Sequence, residues 1–405
     1  MLVLRFGLLA AILLGIAACS HFGAPPDGGK APPARLRLKV SDYSALAGWS
    51  TGARAPALAA FQLSCRVITT RDPDDAFGGD RAYGQVGDWL AACRAALAAD
   101  ATREAAAGEF FEQWFQPVQA FNDAEARGLF TGYYEPELDG SLQRSSRFRH
   151  PLYGRPQDLV EVDLGQFRPA LKGERLSGRV VGGRLVPYAS RQDIVGRGLE
   201  PVAVPVVYVD DAVAAFFLQI QGSGRIRLDS GEIIRAAYDG QNGHPYTAIG
   251  KVLVDQGAIP RDGLSMQSIR DWLVRNPDRA DEVMNQNASY VFFKKLPIGD
   301  PARGANGAQG VPLTPSASLA VDLKFHGLGA PMWVEAGAPD ATPGADDRPL
   351  RQLFIAQDTG GAIRGPVRGD VYWGSGREAE SVAGRMAHKG VLHVLLPKPL
   401  AARID

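Results

Sequence analysis

Asp358 and Asp370 stand close together near the C-terminus, each among residues suited to holding a ligand. Asp358 runs into Thr359-Gly360-Gly361-Ala362-Ile363-Arg364-Gly365, and Asp370 opens Asp-Val-Tyr-Trp-Gly-Ser-Gly. Glycines beside an acid let the backbone approach a ligand closely and leave amides free to donate, so Gly360 and Gly361 are candidate binding positions. Tyr372 and Trp373 offer flat apolar surface of the kind on which sugar rings stack. They also make a poorly solvated setting for Asp370. An acid that protonates a glycosidic oxygen must keep its proton near neutral pH, which takes an upward shift of about 2 units from burial. The same local features equally suit two solvated turn aspartates. A second acidic and aromatic cluster is Thr131-Gly132-Tyr133-Tyr134-Glu135-Pro136-Glu137, where Pro136 stiffens either a groove wall or an interdomain turn. Gln219 and Gln221 fall on one face of an expected strand and point either at a ligand or at water.

Other chemistries find little support. The six histidines, at 21, 150, 244, 326, 388 and 393, form neither His-Glu-x-x-His nor His-x-His, so no metal is expected. No Walker sequence occurs, and the glycines at 360, 361 and 365 lead into Pro366 rather than a helix, which removes the nucleotide-binding reading. Ser223 and Ser375 lack the spacing of a nucleophile elbow. The 44 basic and 44 acidic side chains cancel, leaving no basic field for nucleic acid. Nothing calls for a cofactor.

The elements that must position these residues read as mostly β. At 405 residues, 45% hydrophobic and 22% charged, the chain is globular and long enough for two or three domains, or one large domain with an insertion. Its 47 glycines and 28 prolines favour turns and strands over a helical bundle. The apolar spacing over 81–115 predicts helices broken at Gly108. Arg179 to Val186 reads as a hairpin on a Gly182-Gly183 turn. Strands are expected over 202–209 and 214–221, with Gly222-Ser223-Gly224 turning the latter into 225–228. Helices return over 265–287, capped by Ser265 and divided by Pro277. Strands follow at 319–321, 332–335, 353–358, 371–373 and 391–396, with exposed loops at 299–311 and 336–349.

The N-terminus reads as a processing segment. Arg5 and the apolar run from Leu8 to Ile16 have signal-peptide length, too short for a comfortable membrane span. Ile16-Ala17-Ala18-Cys19 resembles a bacterial lipobox, which makes Cys19 the candidate lipidation site. Ser20, rather than Asp, after the cysteine fits retention at the periplasmic face of the outer membrane of a Gram-negative bacterium. A Pro/Gly-rich tether over 20–36 follows. Cys65 and Cys93 would then share an oxidising compartment. A disulfide between them, contributing roughly 3 kcal/mol, and two buried thiols are equally open.

Several stretches together resemble the membrane-bound lytic murein transglycosylase A family. They are Phe130 to Pro136, Tyr188-Ala189-Ser190-Arg191, Phe217 to Gly224, Ala237 to Gly240, Asn242 to Tyr246, Asn285 to Phe293, Pro312 to Pro315, and the block from Asp358 to Gly376. The C-terminal part is similar to the three-aspartate domain, with Asp322, Asp358 and Asp370 as the matching acids. The resemblance implies a double-psi β-barrel with a smaller inserted β domain and a groove between them. Its segments would be a barrel portion over 37–137, the insertion over 138–212 and the rest of the barrel over 213–405. It implies cleavage of the β-1,4 bond from N-acetylmuramic acid to N-acetylglucosamine in peptidoglycan without water, leaving 1,6-anhydromuramyl ends. Asp370 matches the family's catalytic acid, acting first as acid and then as base. Asp358, Asp322, Gly360, Gly361, Tyr134, Gln219, Gln221 and Tyr372 are the implied substrate-binding or supporting residues. Glycan strands are the implied partner, with other cell-wall enzymes as candidate protein partners. Two rival readings are an inverting hydrolase using Asp358 and Asp370, and a non-catalytic wall-binding lipoprotein.

Overall fold

A computed structural model describes residues 34–404, apart from 172–173, 301 and 343. Residues 1–33, and with them the expected signal segment, Cys19 and most of the tether, lie outside the described residues.

Six strands close into a barrel. In spatial order they are Ala387–Pro397, Pro331–Ala338, Arg348–Asp358, Ser318–Ala320, Arg368–Ser375 and Gly128–Glu135, the last pairing back onto the first. Two of the pairings are parallel, Ser318–Ala320 with Arg348–Asp358 and Arg368–Ser375 with Gly128–Glu135. This is the double-psi β-barrel. Strands Phe115–Asn122 and Leu36–Val40 extend the sheet from Ala387–Pro397, so the chain is already in a strand at the expected end of the tether. Barrel closure satisfies backbone groups that an open edge would leave unpaired. Every expected strand from 319 onward is present, each running as far as its sequence signal or further except Ser318–Ala320, which stops one residue short of Val321.

The barrel interior and a helical layer form one core that includes Trp89, Phe111, Phe115, Phe130, Trp333 and Phe354. The layer consists of helices Ala55–Ile68, Gly87–Ala98 and Glu104–Trp114. The expected break at Gly108 is displaced: the helices part over 99–103, and Gly108 lies inside the third, where a Cβ would come within 3.0 Å of the Arg54 guanidinium. Close approach, rather than helix breaking, explains that glycine. Cys65 and Cys93 form a disulfide between the first two helices.

A second sheet has the order Val291–Pro297, Ile233–Gln241, Gly224–Leu228, Glu137–Ser141, Pro205–Val209 and His150–Tyr153. It draws strands from well beyond Ala212, so the insertion does not end there. The Gly224–Leu228 strand pairs in parallel with the distant Glu137–Ser141, a pairing no local period reveals. A small third sheet contains the expected hairpin, Arg175–Val181 with Arg184–Pro187. Gly182 and Gly183 both have positive φ (56° and 76°), as a type I′ turn requires.

One expected strand is a helix. Residues Ala212–Gln221 are α-helical, capped by the Asp211 carboxylate, which accepts from Val213 N and Ala214 N, and ended by Gly222 in the left-handed region at φ 83°. Both sides of this helix are covered. Ala215 and Leu218 pack on the second sheet, and Val213, Phe216 and Phe217 pack on helices Ile249–Asp255, Met266–Arg275 and Pro277–Asn285. A short run that is apolar all round carries no period to separate strand from helix.

Candidate active site

Barrel register brings the two aspartates together. Ala320 is the pairing partner of Asp358 on one side and of Asp370 on the other. Aligned residues on neighbouring strands project to the same side, so the two acids flank the Ser318–Ala320 strand with Cα atoms about 10 Å apart, two strand spacings.

Asp370 is recessed but not sealed. Its Oδ1 accepts from the Thr131 hydroxyl, and the Arg368 guanidinium, which donates to the Thr131 Oγ1 at 2.8 Å, stands beside it. Among the described residues, no donor reaches its Oδ2, and that atom is not among the buried unpartnered ones. One oxygen is therefore fixed and the other faces outward. Burial pushes the Asp370 carboxyl above the usual carboxylate range, with Arg368 and then Thr131 opposing the rise.

Asp358 is held on both oxygens. Oδ2 accepts from the Tyr133 hydroxyl at 2.9 Å and Oδ1 from Ala308 N at 2.9 Å. Burial raises this carboxyl too; donors at Thr359, Ala308 and Tyr133 pull it back, while the charge of Asp370 adds to the rise. Asp322 lies just past the same short strand, 4% exposed. It accepts from Gly365 N at 2.7 Å and Lys324 N at 3.1 Å, which fixes the loop that follows Asp358. Gly360 and Gly361 form an open turn in that loop, and a Cβ at Gly361 would meet nothing within 4 Å.

The aromatic candidates are placed differently from expectation. Tyr372 is 2% exposed, packed against Tyr133 at 5.2 Å between ring centroids, so it is no open stacking platform. Its hydroxyl and the Trp373 indole nitrogen are both buried without a partner. Tyr134 is also 2% exposed. It packs on Ala379 and Ala383 and lines a cleft of about 390 Å³ shared with Glu137, Arg270, Arg377 and Glu380. The glutamines sit on the helix rather than a sheet face. Gln221 Oε1 accepts from Tyr134 N at 3.0 Å, tying the helix to the barrel, and Gln219 is buried away from both aspartates.

Glu135 is buried in an ion-pair cluster. It is 1% exposed, and its carboxylate takes Arg225 Nε at 3.1 Å and Arg235 Nε at 2.5 Å. This cluster bolts the Gly128–Glu135 strand to the second sheet, which agrees with the interdomain alternative. Arg270 to Glu380 at 2.7 Å makes a second link, between helices Met266–Arg275 and Gly376–Ala383. The sequence places Thr131 and Tyr133 in the second acidic and aromatic cluster without giving either a role. Their signal was strand alternation: Thr131, Tyr133 and Glu135 occupy one face, contacting Asp370, Asp358 and the arginines in turn. Among the described residues, no three His, Cys, Asp or Glu side chains converge as a metal-ligand set. No described helix is long and apolar enough to cross a membrane.

Two family models match the chain: the MltA specific insert domain over residues 129–294 and the 3D domain over residues 317–396. The Escherichia coli K12 protein named membrane-bound lytic murein transglycosylase A is 32% identical over 277 residues, covering 68% of this chain and 67% of that protein. The chain belongs to the membrane-bound lytic murein transglycosylase A family. It spans about two thirds of the curated relatives it matches, 65% of one and 67% of another. A crystal structure of the Agrobacterium tumefaciens membrane-bound lytic murein transglycosylase superposes with TM-score 0.79 at 29% identity, covering 91% of this chain and 99% of that one. Escherichia coli MltA with bound chitohexaose superposes with TM-score 0.62 at 27% identity, covering 92% and 96%. The insert model's span agrees with a second sheet that ends near Pro297 rather than at Ala212. All three aspartates fall within the 3D domain.

Proposed function

We propose that this chain is a lytic transglycosylase that cuts peptidoglycan glycan strands between N-acetylmuramic acid and N-acetylglucosamine, with Asp370 as its single acid and base. The observation that carries the reading is the asymmetry of Asp370: one oxygen fixed by Thr131, the other open, on a carboxyl that burial makes easier to protonate. The names of the relatives and the chitohexaose bound to an Escherichia coli MltA support the polymer and its β-linked sugars as substrate.

The steps balance with one carboxyl. Protonated Asp370 gives its proton to the glycosidic oxygen as the bond to muramyl C1 breaks and positive charge develops there. The muramyl C6 hydroxyl attacks C1, its proton passes to the Asp370 carboxylate, and the acid is restored with a 1,6-anhydro ring formed. No water enters. Thr131 and Arg368 orient the carboxyl; Tyr133 and Ala308 keep Asp358 as a fixed support. Lipidation at Cys19 and attachment to the periplasmic face of the outer membrane complete the reading, supported by relatives named membrane-bound.

The test is mass spectrometry of fragments released from purified sacculi by residues 20–405. Muropeptides lighter by one water than reducing ones, absent with Asp370→Asn, are the expected result. Reducing ends would mean hydrolysis and return Asp358 to the centre. Binding to sacculi without any release would leave a wall-binding lipoprotein.

A further inference from the structure

A second cavity, of about 410 Å³, lies wholly within the inserted body, every lining residue falling between Arg144 and Tyr290. Neither aspartate of the candidate active site lines it. Its size is within the range of small-ligand pockets. At its wall Arg191 is 4% exposed, an unusual place for a guanidinium. Arg191 Nε donates to Asn287 O at 2.9 Å and Nη2 to Ser289 O at 2.6 Å, while Phe216 and Tyr290 lie under its carbon at 4.7 and 5.3 Å. No carboxylate pairs with it among the described residues, and burial draws it down only to about 10, so it stays charged at neutral pH. Nη1 has no acceptor among the described residues, yet it is not among the buried unpartnered atoms. That is a cation with a donor left over, facing open space.

Gln219 supplies the complementary lack. It is 6% exposed and lines the same cavity as Tyr290. Its Oε1 is buried with no donor. A group filling the cavity must therefore bring an acceptor, best an anion, for Arg191, and an N–H from it would satisfy Gln219 Oε1 once that buried amide turns toward the cavity. Around the opening stand Arg144, Arg149 and Arg197, against the acids Glu200 and Asp281. Arg197 also pairs with Asp193 at 3.9 Å, which leaves four guanidiniums against three carboxylates, a balance that still favours a ligand carrying more carboxylate than amine. Guanidinium and carboxylate match in planar, bidentate geometry.

A short acidic peptide has this chemistry, with amide N–H groups and free carboxylates together. A neutral sugar has no anion to offer Arg191. Murein carries such peptides on its glycan. We propose that this cavity binds the carboxylate-bearing stem peptide of the polymer, with Arg191 and Gln219 as its anchors. The inference rests on reading the chain as a murein-cleaving enzyme, and it adds a second point of substrate contact away from the cleavage site.

The test is isothermal titration calorimetry of residues 20–405, which contain the compact unit Ala34–Asp405, with stem peptides freed from sacculi by an amidase. Binding is expected, weakened at least tenfold by Arg149→Glu or Arg197→Glu at the exposed rim and by Gln219→Leu within. Circular dichroism spectra matching the parent would show that each variant is folded. No peptide binding, binding indifferent to all three changes, or competition of the peptide by peptide-free glycan would overturn the inference. Peptide binding by a chain that cleaves no glycan would leave this site standing and remove the proposed activity. Cleavage of glycan without peptide binding would do the reverse.

Discussion

Asp370 has the demands of a residue that must hold a proton and then lose it. Because burial raises its folded-state pKa above the ordinary 3.8, the folded protein binds that proton more tightly than the unfolded chain. Its contribution to stability is whole below pH 3.8 and is lost as pH rises through the folded value. Asp370→Asn, which keeps the size and an acceptor for Thr131, should therefore raise the melting temperature at neutral pH while abolishing cleavage. The gain should shrink as pH falls toward 4, and calorimetry across pH 4 to 8 reads it. Arg368 makes a second, sharper case. It opposes the rise at Asp370, so Arg368→Met should move the alkaline limb of the kcat/KM profile to higher pH. A purely structural arginine would lower the rate without moving the limb. Asp358 already has both oxygens occupied, and Asp358→Asn should cost about 10–100-fold in rate, well short of losing the acid.

The strand Gly128–Glu135 does three jobs on one face, and its third residue there, Glu135, is the test of the element. Its carboxylate is the shared target of Arg225 and Arg235. Glu135→Ala takes the carboxylate from the largely buried Arg235 and the nearer of two carboxylates from Arg225, which keeps Glu137 at 3.9 Å, and should destabilise the fold by about 3–5 kcal/mol in denaturant titration. A loss under 1 kcal/mol would mean that the link between the bodies lies elsewhere. The late barrel strands were readable in the sequence as short apolar runs between turn signals, whereas no strand was expected over 128–135. The register that sets Asp358 and Asp370 on either side of Ala320 was not readable, since it depends on pairing between distant segments. Residues 212–221 failed for another reason. A helix covered on both sides presents Ala, Val, Phe and Leu throughout; Gly222, which ends it, reads equally as a turn, and Asp211, which caps it, drew no reading from the sequence.

At the scale of the whole molecule, the helical layer reaches the candidate site through buried hydrogen bonds from the helix Ala55–Ile68. Gln357, the residue before Asp358, is fully buried, and its amide donates to Ala60 O and Ser64 Oγ at 2.9 Å each. Ser64 in turn donates to Gln309 at 2.7 Å, and its neighbour Cys65 carries the disulfide to Cys93. The bond thus braces the helix that pins the Asp358 strand. A loop of this length should give the bond roughly 3 kcal/mol of stability. Replacing both cysteines by serine should then lower the melting temperature by about 4 °C. Reductant should lower the parent chain equally and leave the double variant unmoved. At 25 °C the two forms should cleave sacculi within twofold of each other, because the Gln357 hydrogen bonds hold the helix once the chain is folded. A rate that falls together with the melting temperature would mean that the disulfide holds Asp358 in place through Ser64 and Gln357, making the helical layer part of the site's positioning and not only of its support.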